Sequence, residues 1–164
     1  MKSLIPFVFS LACVSWLPSC TPSAVVSVPT SGRTTGSNRD LVEYCRVNDG
    51  RKVGDGQCWS LANEAFKATG KTRPGGSIRV WGSEVNYKSA GVQPGDILEF
   101  ESATFVDGGR RFTTGPNHTA VVTSGGTGMI TVAEQNFMGK KKVVHRQMQL
   151  RSPDSGKLRV YRPQ

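Results

Sequence analysis

The chain has 164 residues, a formal net charge of +9, four cysteines and two histidines. This length corresponds to about one domain. With two histidines and no clustered ligand residues, the composition argues against a zinc site, and we expect neither a metal nor a cofactor. The positive charge comes without a recognisable nucleic-acid-binding motif, so we expect no nucleic acid among the partners.

The first 20 residues have the pattern of an export signal. Lys2 supplies a positive charge, and residues 4–17 are largely apolar but too short to span a bilayer. The segment ends at Leu17-Pro18-Ser19-Cys20, which is similar to a bacterial lipobox in which Cys20 is lipidated after cleavage. Ordinary signal cleavage after Ala24 is the alternative. Both predict a domain outside the cytoplasm: either a cell-envelope lipoprotein that touches the membrane only through its lipid, or a secreted or periplasmic protein.

Residues 21–39 are rich in Ser, Thr, Pro and Gly and lack an apolar period, which predicts a flexible linker. The folded domain is therefore expected to span residues 40–164, as a monomer. For a domain in the cell envelope, the positive charge suits anionic envelope polymers or carboxylate-rich wall peptides. The lysines at 140–142 are typical of a solvated strand edge, and attraction of an anionic polymer or lipid is the alternative.

The best-defined element begins at Cys58, directly after a glycine-rich turn at 54–57. Cys58 and four apolar residues recur at helical spacing and form one inward face: Leu61, Ala62, Ala65 and Phe66. Gly70 closes the helix. A cysteine in the first helical turn feels the positive end of the helix dipole, which favours the thiolate. Because an exported domain folds where disulfides form, a bond between Cys45 and Cys58 is the alternative.

Strand patterns follow the helix at 97–101, 118–123, 129–134, 141–150 and 157–161. The second and third flank a glycine-rich loop, and symmetric closure of that loop would place His118 directly opposite Glu134. Asn136 would share their face if the strand continued. Helices followed by about five antiparallel strands predict an α+β fold.

These positions supply the groups of a cysteine hydrolase. His118 would take the thiol proton or hold an ion pair with Cys58, and would later protonate the leaving amine. Glu134 or Asn136 would fix the orientation of the imidazole ring. An oxyanion hole needs two donors, and we expect these from the backbone N–H of Cys58 and from Gln57.

Four segments occur in an order that resembles the CHAP branch of the NlpC/P60-type cysteine peptidases: 53–62, 93–98, 117–122 and 132–136. The resemblance implies a papain-like fold, with N-terminal helices packed on an antiparallel sheet, and hydrolysis of amide bonds in peptidoglycan. By position it implies Cys58 as nucleophile, His118 as base, Glu134 as orienting group and Asn136 as supporting amide. Within the superfamily, the Gly-Asp-Gly-Gln-Cys-Trp segment at 54–59 is most similar to cysteine-proteinase-fold domains attached to some fungal and plant proteins, whose substrates are not wall peptides.

The leading hypothesis is therefore an exported cysteine amidase or endopeptidase that acts on peptidoglycan peptides. Two alternatives stay open: a non-catalytic envelope-binding module of the same fold, and a hydrolase of amides unrelated to peptidoglycan. Thiol reactivity separates catalysis from binding, because a catalytic Cys58 is ionised well below pH 8 and an inert buried thiol is not.

Overall fold

The computed structural model describes residues 37–107 and 109–164, and Asp107 through its backbone only. The predicted export signal, including Cys20, and nearly all of the predicted linker lie outside these residues. The first helix begins at Asn38, two residues before the expected start of the domain at Asp40.

Three helices and seven strands follow one another along the described residues. The helices are α1 (Asn38–Val47), α2 (Cys58–Ala68) and α3 (Tyr87–Ala90). The strands are β1 (Ser83–Glu84), β2 (Ile97–Asp107), β3 (Arg110–Thr113), β4 (His118–Ser124), β5 (Met129–Glu134), β6 (Val144–Gln149) and β7 (Ser155–Arg162). They form one sheet in the order β1-β7-β2-β4-β5-β6, and β3 pairs with β2 beside this path. The fold is α+β, as predicted, with seven strands in place of about five.

The two additional strands arise where the sequence predicted none. β2 does not end at Glu101 but continues past an irregularity at Ser102, whose φ is 47°, as far as Asp107. Its second half pairs with β3 and places Phe105 opposite Phe112. β1 is two residues long and pairs with the end of β7, so it is too short for a period-two pattern to reveal it.

Helix α2 follows the predicted pattern and is confirmed over Cys58–Ala68. Its apolar residues Leu61, Ala62, Ala65 and Phe66 are each at most 2% exposed. Burying a large apolar side chain contributes about 1.5–3 kcal/mol, so this face fixes the orientation of the helix on the sheet.

The sheet carries a buried core on each face. On one face, α1 and α2 pack against residues such as Ile97, Val121 and Ala133. On the other face, alternate residues of the same strands, including Leu98 and Val122, form a second core with the β2–β3 hairpin. Successive side chains of a strand point to opposite faces, so both sets are buried and the central strands are almost continuously apolar. Within the described residues, no helix is long and apolar enough to cross a membrane.

The predicted register of the β4–β5 hairpin is wrong by two residues. Ala120, and not His118, lies directly opposite Glu134. The loop does not close symmetrically, because Gly126 exchanges two backbone hydrogen bonds of 2.9 Å with Val92 instead. A shift by an even number of residues keeps every side chain on its face. His118 and Glu134 therefore stay on one face, as diagonal neighbours.

Candidate active site

Cys58 is held at the first position of α2 by a tight turn. The glycines on either side of Asp55 have φ of 55° and 86°, a left-handed conformation that glycine adopts easily. The Asp55 carboxylate accepts hydrogen bonds from the backbone N–H of Gln57, at 2.9 Å, and from the hydroxyl of Ser60. The N–H of Cys58 has no acceptor within the helix. The half-buried thiol therefore lies at the positive end of the helix dipole.

The thiol of Cys58 meets the ring of His118 at the start of β4. The imidazole lies close enough to the thiol to influence the pKa of Cys58, and Sγ lies 4.0 Å from the backbone oxygen of Asn117. His118 is 3% exposed, and its Nε2 lies 2.9 Å from Oε2 of Glu134, which is fully buried. Because Nε2 is bound to Glu134, Nδ1 is the nitrogen left for the thiol. The structure thus brings three of the predicted site residues into one chain of interacting groups.

These contacts shift the pKa of the thiol and of the imidazole. Burial raises the pKa of Cys58, but the hydrogen bond and charge of His118 outweigh burial and hold the pKa below its ordinary value. Burial lowers the pKa of His118, whereas Cys58 and Glu134 raise it, to about 9. Both shifts favour a thiolate and an imidazolium over the neutral pair. The thiolate is the nucleophilic form of cysteine.

Arg146 on β6 clamps the carboxylate of Glu134. Its Nε donates to Oε1 at 2.6 Å, and its Nη2 donates to Oε2 at 3.3 Å. The guanidinium also lies 4.5 Å from the ring centroid of Phe137, which is 5.5 Å from the ring of His118. Burial raises the pKa of Glu134, but the hydrogen bonds from His118 and Arg146 hold it below its ordinary value. Glu134 is therefore ionised and bound on both oxygens.

Arg146 was not predicted as a site residue, because the lysines at 140–142 that precede it are typical of a solvated strand edge. The alternation of inward and outward positions along this strand does indicate where Arg146 points. Arg146 stands two residues after Val144 and two before the buried Met148, on the inward face. An inward-facing arginine needs a buried carboxylate, and Glu134 is a candidate on the neighbouring strand.

Gln57 and Asn136 pair with each other and not with Glu134. The Nδ2 of Asn136 donates to Oε1 of Gln57 at 2.6 Å. β5 ends at Glu134, and Asn136 lies beyond it with φ of 59°, so the condition for Asn136 to share the face of Glu134 is not met. The bond to Asn136 uses the amide oxygen of Gln57 and leaves its Nε2 hydrogens to donate. The oxyanion hypothesis requires this side-chain amide as the donor, because the backbone N–H of Gln57 already donates to Asp55.

Gln135 is a second residue to which sequence reasoning assigned no role. It is fully buried, and its Oε1 accepts from the N–H of Val53 at 2.8 Å. Its Nε2 donates to the backbone oxygens of Val53 and Gln57, both at 2.9 Å. The end of β5 therefore positions the partner of His118 and, one residue later, the turn that carries Cys58.

A second buried carboxylate, Glu99, lies beside the start of β4. It accepts hydrogen bonds from Trp81 at 2.6 Å, from Thr119 at 2.8 Å and from Arg79 at 3.2 Å. Arg79 also donates to the side chain of Asn117. Burial raises the pKa of Glu99, opposed by these donors. The network holds both sequence neighbours of the imidazole and so fixes where β4 begins.

Cys45 and Cys58 are both free thiols. Cys45 is completely buried, and burial raises its pKa to about 12. The disulfide alternative therefore does not describe this structure, and Cys45 is not a competing nucleophile. Among the residues that the structure describes, no three His, Cys, Asp or Glu side chains group as a possible metal site.

Two solved structures have a similar fold. The crystal structure of Ly7917 aligns with a TM-score of 0.50 and 19% identity over 78% of this chain and 63% of that chain. The structure of Ly7917 with the hydrolyzing product of MDP aligns with the same TM-score at 18% identity. At this identity the likeness concerns the fold alone.

One curated relative is the Altered inheritance of mitochondria protein 3 of Debaryomyces hansenii, 35% identical over 134 residues. The match covers 70% of this chain and 14% of the relative, so the chain spans a small part of that protein. The family model of the AIM3/BBC1 cysteine proteinase-fold domain matches residues 34–164, which include the whole site. This chain belongs to the AIM3/BBC1 cysteine proteinase-fold domain family.

Proposed function

We propose that this chain is a cysteine hydrolase that cleaves amide bonds in peptides. Cys58 is the nucleophile, His118 the general acid and base, and Glu134 the group that orients the imidazole. The observation that carries the proposal is the chain of contacts from the thiol through the imidazole to a buried, ionised carboxylate. Such an ion pair is the activated state of a nucleophilic cysteine.

The reaction follows from the positions of these atoms. The thiolate sulfur attacks the amide carbonyl carbon, and the carbonyl oxygen becomes an oxyanion. The imidazolium of His118 gives its Nδ1 proton to the leaving nitrogen as the C–N bond breaks, which leaves a thioester on Cys58. Neutral His118 then takes a proton from water, and the hydroxide attacks the thioester to release the acid and restore the ion pair.

The oxyanion would be stabilised at the N-terminus of α2. The backbone N–H of Cys58 and the Nε2 of Gln57 are the two donors, and the positive end of the helix dipole adds to them. Asn136 serves this step as well, because its hydrogen bond to Oε1 fixes the orientation of the Gln57 amide. Its role is therefore to position Gln57 and not to support Glu134.

The CHAP resemblance implies peptidoglycan peptides as substrate, and one Ly7917 structure contains the hydrolyzing product of MDP. The family membership favours an amide outside peptidoglycan, because the Debaryomyces relative is named for mitochondrial inheritance and not for a wall. We therefore propose protein-derived peptides as the substrate class, with peptidoglycan peptides as the second candidate.

One experiment separates these substrates and tests catalysis. The purified chain is incubated in ¹⁸O-labelled water with a proteome-derived peptide library, and separately with purified sacculi, and products are identified by mass spectrometry. We expect new peptide carboxyl termini that carry one ¹⁸O, formed by wild type and by Cys45→Ala but lost in Cys58→Ala. Labelled products equal in Cys58→Ala and wild type, or no products from either substrate, would reject the hydrolase.

The location of the protein is a separate proposal. The export pattern at 1–20 supports a domain that works in the cell envelope or outside the cell, with Cys20 as the lipid-bearing residue. The intact mass of the mature protein tests this. Cleavage before Cys20 with added acyl mass supports a lipoprotein, cleavage after Ala24 supports secretion, and an uncleaved chain contradicts both.

A further inference from the structure

Two cationic segments that are far apart in the sequence meet beside the turn that carries Cys58. The N–H of Gly50 donates to the oxygen of Val143 at 2.9 Å, and the N–H of Val143 donates to the oxygen of Arg51 at 2.8 Å. This pairing brings Arg51 and Lys52 alongside the lysines at 140–142, and all five cationic residues are exposed. From the sequence alone, the lysines at 140–142 are typical of a solvated strand edge, and their proximity to Arg51 and Lys52 is not predictable.

Two of these lysines lie against Gly56, two residues before the nucleophile. A Cβ added to Gly56 would lie 3.1 Å from Cε of Lys52 and 3.1 Å from Cβ of Lys141. None of the salt bridges among the described residues includes either lysine. Lys52 has the carboxylate of Asp55 as a charged neighbour, and Lys141 adds a second positive charge beside the same glycine, which a bound anion would balance.

The carboxylate of Asp55 is within reach of the charge of Lys52 and accepts hydrogen bonds from Gln57 and Ser60 in the turn. None of the salt bridges among the described residues includes the lysines at 140–142. These three exposed lysines leave the surface beside the turn positive.

We propose that Lys52 and Lys141 form an anion subsite beside Cys58, which binds an acidic side chain of the peptide substrate. The inference rests on the proposed hydrolase, because it assigns the anion to the molecule whose amide reaches Cys58. Two residues of extended chain span about 7 Å, so the acidic side chain lies two or three residues from the cleaved bond. This proximity favours an acidic peptide over a polymer or lipid bound elsewhere on the surface.

The subsite is tested with two reagents that alkylate the same sulfur and differ in charge, iodoacetate and iodoacetamide. The rate constant for iodoacetate divided by that for iodoacetamide reports the electrostatic potential at Cys58, because the intrinsic reactivity of the thiol cancels in this ratio. Over about 7 Å in water, each lysine should raise the iodoacetate rate by about 3-fold at low ionic strength. We therefore expect the ratio to fall by about 3-fold in Lys52→Gln and in Lys141→Gln, and by more in the double variant. In 1 M salt the difference should disappear.

Lys88→Gln on α3 is the matched control, since it removes one exposed lysine outside this cluster and should leave the ratio unchanged. A ratio that is the same in all variants overturns the subsite even if the chain hydrolyses peptides. A lowered ratio supports the subsite even if no peptide is cleaved, which would reject only the hydrolase. If peptides are cleaved, Asp and Glu should be enriched near the cut, and a library without that enrichment overturns the acidic-peptide assignment.

Discussion

Four charges alternate in sign through the site: the thiolate of Cys58, the imidazolium of His118, the carboxylate of Glu134 and the guanidinium of Arg146. Each ion has an oppositely charged neighbour, so the buried groups can stay ionised in a region where an unpaired charge is costly. Arg146 has no contact with the thiol among the described residues. It acts through Glu134, whose charge it maintains.

Replacing Arg146 by Met should destabilise the fold, because Glu134 keeps its hydrogen bond to His118 but loses two from the guanidinium. Hydrogen bonds to charged groups contribute about 1.5–3 kcal/mol, and we expect a loss of that size in urea unfolding at pH 7. Arg46→Met is the control: its ion pair with Glu43 is exposed and should change stability by less than about 1 kcal/mol. Equal urea midpoints for Arg146→Met and wild type would contradict the role of Arg146.

Part of the site was predictable because the chain has only two histidines to serve as the base. The order of Cys58, His118 and Glu134 along the chain, on a predicted helix and two predicted strands, identified the candidates. Gln135 and Arg146 were not found, because their roles come from contacts between elements. A glutamine that binds two backbone segments has the same local pattern as a glutamine exposed on a strand.

At the element scale, the end of β5 and the turn before α2 form one unit through Gln135. The strand supplies Glu134 to the imidazole, and the next residue ties the turn to the sheet by three hydrogen bonds. The helix N-terminus is therefore held relative to β5 by backbone contacts and by the apolar packing of α2.

Gln135→Met keeps the approximate volume of the side chain but leaves the buried N–H of Val53 without its acceptor. The oxygens of Val53 and Gln57 lose one donor each and keep the N–H groups of Gly56 and Ser60. An unsatisfied buried group costs about 1–3 kcal/mol, so we expect a loss of that size in the free energy of unfolding. Cys58 should also react more slowly with iodoacetamide at pH 7, because the turn no longer holds it at His118. Gln147→Met, at an exposed strand position, should change neither quantity. Equal free energies of unfolding and equal iodoacetamide rates in the two variants would contradict the role of Gln135 in holding the turn.

The hairpin illustrates which features of an element the sequence determines. The faces of β4 and β5 were predictable, because the apolar pattern fixes the parity of the register. The register itself was not, because it depends on hydrogen bonds between Gly126 and Val92, a residue outside both strands. The continuation of β2 beyond Glu101 was missed for a similar reason, since its partner β3 is short and largely exposed.

At the scale of the whole molecule, the site lies where the two cores of the sheet meet. Cys58 begins a helix packed on one face, whereas His118 neighbours Phe100, which belongs to the core on the other face. Contact between the thiol and the imidazole therefore depends on both layers being in place. Element order and amphipathic pattern predicted the α+β class. The point where the two cores meet was not predictable, because it depends on how the complete sheet is assembled.

The reaction of Cys58 with iodoacetamide as a function of pH tests whether its thiolate is paired with the imidazolium of His118. The raised pKa of His118, about 9, favours the imidazolium through neutral pH, and the lowered pKa of Cys58 favours the thiolate beside it. We predict that the rate rises at a pH well below the ordinary thiol pKa, stays level through neutral pH, and changes again near pH 9 as His118 loses its proton. In His118→Ala, burial acts without the opposing charge, so the first step should move upward and the rate at pH 7 should fall at least about 10-fold. A single step near the ordinary thiol pKa of 9.0 in wild type, unchanged in His118→Ala, would contradict the account.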